Sequence, residues 1–435
     1  MRAAAVEGGE RPGLRRSLGL LETTLGGVGI ILGAGIYVLV GEAAGRAGDA
    51  VWASFAIAAV MAALTGLSYA ELASMYPNAG ADYEYSRQAM GRPVAAVVGW
   101  VIISGNLIAA AAVALGFGGY FGEFVDSPKV AAAIAAIVVA AAIAVYGIKE
   151  SMWTSIALTF VEVGGLVLII GVGVPHLGDA PLLEAKSGVA SVFSGAALVI
   201  FAFIGFEYVA TLSEETRAAK RTVPVALLLS IVITTLIYVA VAVAAVSVVG
   251  WRALSDSDAP LANVASVALG ERASDVLSLI ALFSTFNTVL LLLVAASRLA
   301  YGMAATGSLP RVAGRVHRRF RTPALAIAGA AVLACGVATV GDIGFVAESA
   351  NFAILLGFTA VNISLIILRL RQPALERPFR LPGAVRGVPL LPVMALGAIG
   401  FMIANLDAYA ILLGLALAAA GSAAAIIQSR LTGHR

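Results

Sequence analysis

From Leu20 onward the chain is built of long apolar runs separated by short polar breaks, and within each run the apolar residues are continuous. Continuous runs of roughly 17 to 25 residues fit helices crossing a hydrocarbon layer about 30 Å thick, whereas a membrane barrel would alternate with period two. Bounded by charged or turn residues, the runs predict helical segments at about 20–44, 50–74, 94–121, 130–148, 151–173, 191–212, 224–250, 273–304, 323–340, 347–370, 388–405 and 408–428. Only Asn405-Leu406-Asp407 separates the last two, which predicts a tight hairpin. The expected fold class is all-α, a polytopic membrane protein of twelve transmembrane helices.

Composition sharpens that expectation. Of 435 residues 60% are hydrophobic and 12% charged, mean hydropathy is +0.98, and no polar block is long enough for a soluble domain. The opening "MRAAAVEGGERPGLRRSLG" is basic, and no small-residue cleavage pattern follows it, so the first segment is expected to be retained. With the N-terminus in the cytoplasm, the 28 Lys and Arg fall inside except Arg46, Lys129, Lys186, Arg252 and Arg272. That positive-inside bias predicts a multi-pass protein of the cell (inner) membrane with both termini cytoplasmic.

The net charge of +3 follows from this asymmetry, so no nucleic-acid partner is expected, and "RVAGRVHRRFR" reads as a loop facing the anionic headgroups of the lipid bilayer. Cys335 is the only cysteine, which rules out an intrachain disulfide. His176, His317 and His434 all lie outside the apolar runs, which argues against a His-based metal site or proton relay in the membrane. No metal or cofactor is expected. The segments hold only isolated acids and no nucleophile–base set, so an enzyme is not expected either.

Two segments are interrupted in matching positions. "GVGIILGAGIYVLVG", residues 27–41, carries Gly-Ala-Gly at 33–35, and five segments later "FAFIGFEY", residues 201–208, places a Gly and a Glu in mid-span. Such paired interruptions point to a transporter site between two repeats, and because five is odd the second repeat would be inverted. A break in mid-membrane leaves backbone groups that lipid cannot satisfy, so it must line a cavity or be buried in protein. Free amides after Gly-Ala-Gly suit an anion and free carbonyls in the sixth segment suit a cation, together a site for a zwitterion. Close packing alone also explains Gly29-x-x-x-Gly33. A dinucleotide-binding glycine fingerprint fails, because no strand precedes the glycines.

Four local patterns carry a family resemblance: "GAGIYV"; "YAELASMYPNAGADYEY" with "GRPVAAVVGW"; "FAFIGFEYVATLSEET" running to "VPVAL"; and "SRLAYGMAATGSLP" to "RTP". In this order the chain resembles the amino acid-polyamine-organocation (APC) family of permeases across segments 1 to 10. The resemblance implies a LeuT-like five-plus-five inverted repeat with discontinuous helices 1 and 6. Its parts would be a cytoplasmic tail 1–19, repeats 20–173 and 191–370, a hairpin 388–428 and a tail 429–435. It also implies that a substrate carboxylate meets the amides of Ala34, Gly35 and Ile36, and an ammonium the carbonyls of Ile31, Phe201, Ala202 and Ile204. Phe201 would close over substrate, while Gly33, Gly35 and Gly205 permit the breaks. The chain departs from the family at Gly80-Ala81, within "RAAKRTVP" and at Ala305-Thr306, all in loops.

Glu162 and Glu207 are the acids well inside the segments. An unpaired charge there costs roughly 2.5 to 3.5 kcal/mol on insertion scales, so a functional role is the default. Where many sodium-independent relatives have a lysine, this chain has Glu162, which could carry a coupling proton, ligate a cation, pair with an Arg or serve as a structural hydrogen-bond donor. Sodium stays open because Ser284, Thr285, Asn287 and Thr288 supply hard oxygens in the eighth segment. Glu207 is read as a brace for the break or as a buried structural acid. Glu71 and Arg298 are read as interfacial residues with solvated faces, in preference to a gate network. Gly105, Asn106, Asn287 and Asn351 are candidates for side-chain recognition.

A cationic side chain would want another buried acid besides Glu207, and none is evident near mid-membrane except Glu162, so a neutral amino acid is expected. The functional expectation is thus a secondary active transporter of amino acids working by alternating access, with proton symport preferred. A sodium symporter, an amino acid/polyamine exchanger, a transporter-fold solute sensor and a channel are the alternatives.

Overall fold

The structure, a computed structural model, describes residues 18–77, 81–146, 151–214, 216–305, 307–310, 312–317, 320 and 322–432. The helices are α1 (Leu20–Ile31), α2 (Gly35–Ala47), α3 (Val51–Met75), α4 (Ala81–Met90), α5 (Arg92–Gly122), α6 (Lys129–Tyr146), α7 (Ser151–Gly173) and α8 (Val189–Val199). They continue with α9 (Tyr208–Thr211), α10 (Ala219–Ser255), α11 (Pro260–Leu269), α12 (Glu271–Ala305), α13 (Ala324–Ala338), α14 (Ile343–Arg371), α15 (Leu390–Ala404) and α16 (Ala408–Thr432). A small antiparallel hairpin, β1 (Ala384–Val385) with β2 (Val388–Pro389), sits between α14 and α15.

Local chemistry sets the helix ends. Pro93 stands in the first turn of α5, where its missing N–H costs nothing. Asp342 caps α14 by accepting from the Phe345 amide at 2.7 Å.

Among the described residues eight helical runs are individually long and apolar enough to cross a membrane, and ten if each bent pair counts as one span. The bent pairs are α1 with α2, at 48°, and α15 with α16, at 113°. The second angle makes a hairpin, as the three-residue break requires. The ninth predicted segment forms α13, only 15 residues, because the chain turns at Gly341 with φ +80°. Among the described residues α4 and α11 fall where the apolar pattern predicted loop, and the β-hairpin straddles the predicted start of the eleventh segment at 388.

The interior is a layer of buried Ala, Val, Leu and Ile on α2, α3, α5, α10, α12 and α14, with α5 packed against α6, α12 and α14, and α3 against α10. Two ends of the bundle can be told apart. At one, Leu18 bridges Thr216; at the other, Gly48 bridges Ala185. α14 starts near the Gly48 end, where Arg46 pairs with Glu348, and finishes beside Glu71 at the Leu18 end.

Candidate functional site

Both predicted interruptions are real breaks, and they touch. The first falls at Leu32–Ala34, between α1 and α2. In the second, α8 gives way to a 3-10 turn at Ile200–Phe203, and helix resumes only at Tyr208. Gly35 lies against the second break so closely that a Cβ there would sit 2.5 Å from the Ala202 Cα. Gly205 has φ +124°, a conformation L side chains rarely adopt, and lies against the Ile30 carbonyl of the first break. The Tyr238 hydroxyl on α10 pins the breaks together, donating toward the Ile31 carbonyl at 2.7 Å and the Ala202 carbonyl at 3.0 Å.

The expected backbone groups are therefore assembled, but not all are free. The Ala34 amide donates to Thr288 Oγ1 at 3.2 Å, and the Phe201 carbonyl accepts from the Ile204 amide at 3.1 Å. The amides of Gly35 and Ile36, at the start of α2, donate to no protein acceptor among the described residues. A helix N-terminus with uncommitted amides favours an anionic group.

Glu162 is 3% exposed on α7 and accepts a hydrogen bond from Ser284 Oγ at 2.6 Å. It has no ion pair among the described residues. Its backbone carbonyl accepts from the Tyr37 hydroxyl on α2 at 2.8 Å. One turn along α12 from Ser284, Thr288 donates to the Ser284 carbonyl at 3.0 Å and accepts the Ala34 amide. Side chains of α12 thus link the carboxyl of Glu162 to the first break.

Glu207 sits at the second break, where its Oε2 accepts the Gly205 amide at 2.9 Å. It lines a small cavity of about 20 Å³ with Tyr69, Asp82, Asn106 and Tyr208, walled by Ile102, Ile354, Gly357 and Phe358. That is room for about one water. Tyr208 donates to Asn106 Oδ1 at 3.0 Å, and Tyr69 donates to Asp82. Asp82 is half-buried as a residue, and desolvation of its carboxyl pushes its pKa up to about 6, partly offset by the Tyr69 hydroxyl. Sequence reasoning missed Asp82 because it sits on α4, in a stretch too polar to register as a helix of the bundle.

Two side chains singled out from the sequence have other work. Asn351 donates to the carbonyls of Ala197 and Leu198, both at 2.9 Å, and so caps the end of α8. Glu71 is not a solvated interfacial residue: it is 0% exposed, because Arg369 forks onto it through Nε at 2.9 Å and through Nη2. The Leu381 amide adds a bond at 2.8 Å, and Arg377 lies 3.3 Å away. Arg298 is exposed, as expected.

Broken helices in contact, with uncommitted amides at the start of α2 inside an apolar bundle, are an arrangement that secondary transporters use. The sequence pattern of the family described as amino acid permease matches residues 18–424, and the chain belongs to that family. A branched-chain amino acid permease of Bacillus subtilis is 30% identical, covering 92% of this chain and 90% of the relative. A methylthioribose transporter of the same organism is 29% identical over 88% of this chain and 87% of its own. A human cationic amino acid transporter 4 is 31% identical over 87% of this chain and 63% of its own length.

Proposed function

We propose that this protein carries neutral amino acids by alternating access, with a proton as the coupling ion. The observation that carries the reading is the contact between the two breaks. Gly35 and Ile36 offer amides to a carboxylate, joined by that of Ala34 if Thr288 yields it. For an ammonium there are the carbonyls of Ile31, on the same break, and of Phe201, Ala202 and Ile204 on the second break, of which Ile31 and Ala202 now accept from Tyr238 and Phe201 from the Ile204 amide. Ile102, Ile354 and Phe358 form the apolar wall of the one-water cavity beside Glu207, which would have to widen to take an aliphatic side chain. The relatives named for amino acid transport support amino acids as the substrate class, and the one named for branched-chain substrates supports a neutral side chain, whereas the cationic transporter is named for a charged one.

In this reading residues 20–173 and 191–370 are inverted repeats of a twelve-span, LeuT-like protein, 388–428 is an appended hairpin, and the tails 1–19 and 429–435 are cytoplasmic. The Leu18 end then faces the cytoplasm of a cell-membrane protein. Glu162 is the coupling group: no protein cation balances its charge among the described residues, so a co-transported cation must do so, or a proton must neutralise it. Ser284 and Thr288 beside it supply the oxygens that favour sodium as the second reading.

Purified protein should gain thermal stability with aliphatic amino acids and not with polyamines, and proteoliposomes should accumulate the stabilising amino acid under an inward proton gradient. Stabilisation by none of the twenty amino acids would defeat the substrate class, and accumulation that follows only a sodium gradient would select the second reading.

A further inference from the structure

The cavity beneath the second break is closed on one side by α4, a helix that is not among the membrane-spanning ones and that packs on α5, α9 and α14. Its residue in the cavity is Asp82, tied to the Tyr69 hydroxyl of α3. The Tyr69 ring is held edge-on among Phe206 at 5.6 Å, Phe358 at 6.0 Å and Tyr85 at 6.2 Å. Phe206 is the neighbour of Gly205, so the ring that holds Asp82 rests directly on the broken segment.

We propose that Asp82 and Tyr69 form a proton-dependent latch on the floor of the cavity beneath the second break: neutral Asp82 keeps α4 closed against the cavity, and ionised Asp82 leaves for water and opens it. The proposal rests on the alternating-access reading and adds to it a control on the side where α4 lies. The physical drive is desolvation. In the closed floor the carboxyl faces Glu207 and the hydroxyls of Tyr69 and Tyr208. Asn106 on α5 is uncharged, and α14 contributes only Ile354, Gly357 and Phe358. On α4 itself, Glu84 is paired with Arg87 at 2.7 Å, and Tyr85 is buried. Nothing in that set supplies a positive charge to a carboxylate in the cavity.

The sign follows from linkage. Asp82 binds its proton more tightly when the floor is closed, with a value of about 6, than when it is hydrated at about 4. Closure is therefore favoured fully below about pH 4, and the preference is lost as pH rises through about 6. Two units correspond to a shift of roughly a hundredfold in the closed-to-open ratio. Tyr69 donates to the carboxylate, so removing its hydroxyl raises the midpoint further.

The test places a reporter cysteine in the cavity, Ile102→Cys, in a Cys335→Ala background. A membrane-impermeant thiol reagent is applied between pH 5 and 8 to everted and to right-side-out vesicles, with rates normalised to a free thiol at each pH. From everted vesicles, labelling should rise by up to about tenfold between pH 5 and 8, the part of the hundredfold shift that lies in this range, and level off above a midpoint near pH 6. Asp82→Asn should keep it slow and flat, and Tyr69→Phe should move the midpoint upward. A flat profile in the parent protein, a pH-dependent rise that survives Asp82→Asn, or an unmoved midpoint in Tyr69→Phe would each overturn the latch. If Asp82→Asn does not fold, the Tyr69→Phe midpoint alone decides. Because labelling needs no substrate, loss of the amino acid reading would leave this result standing, and a rise seen only from right-side-out vesicles would overturn the assigned topology instead.

Discussion

Glu71 and Glu162 are both buried carboxyls on long apolar helices, and the protein treats them in opposite ways. Glu71 receives a two-pronged Arg369, a nearby Arg377 and a backbone amide, a set that balances its charge and fills its lone pairs. Glu162 receives one hydroxyl. A charge balanced within the protein has no reason to exchange ions, whereas one left unbalanced must be met by a proton or cation from outside. Burial of an acid in a membrane helix is therefore not by itself a mark of function; the set of partners decides.

The sharpest way to break the comparison is to remove the balanced acid. Glu71→Gln strands Arg369 in the interior, and breaking a buried pair costs on the order of 3–5 kcal/mol. The variant should lose much of its thermal stability in detergent and reach the membrane poorly. Normal stability with a specific loss of transport would instead place Glu71 on the side of Glu162.

The converse substitution should show the reverse split. Glu162→Gln keeps the shape and the Ser284 contact, so unfolding should shift by less than about 1 kcal/mol and substrate affinity by no more than about threefold. Gradient-driven accumulation should fall at least about tenfold while exchange down a substrate gradient persists. Accumulation that still follows the pH gradient would remove Glu162 from coupling.

The two acids also mark what a sequence can disclose. Glu162 stood out because a charge in a long apolar run needs no partner to be noticed. The breaks stood out for a similar reason, since glycines and a mid-span Glu interrupt a uniform pattern. The Glu71–Arg369 pair joins residues 298 positions apart, and no local spacing encodes it. Asp82 was missed because α4, "ADYEYSRQAM", is short and mostly polar, its buried face resting on Tyr83, Tyr85 and Ala89 packed against the bundle. The end of α13 is legible within two residues, because apolar residues continue to Val340 and Gly341 turns the chain. Apolarity reports where a helix can lie, and a polar helix such as α4 shows only in its tertiary contacts.

The smallest predicted effect probes the place where the two breaks are pinned. Tyr238→Phe keeps the ring among Phe55 at 5.7 Å and Phe203 at 5.4 Å, and removes only the hydroxyl shared by the Ile31 and Ala202 carbonyls. A hydrogen bond of this kind is worth about 0.5–1.5 kcal/mol net, so apparent substrate affinity should weaken by roughly three- to tenfold. Dependence on the ion gradient should not change, because Glu162, Ser284 and Thr288 are untouched. The sign carries the information: weaker binding means that the hydroxyl holds the two carbonyls in place for an ammonium. Tighter binding in uptake or thermal-shift measurements would mean that the hydroxyl occupies the position the ammonium takes, and that Tyr238 must move aside each time substrate binds.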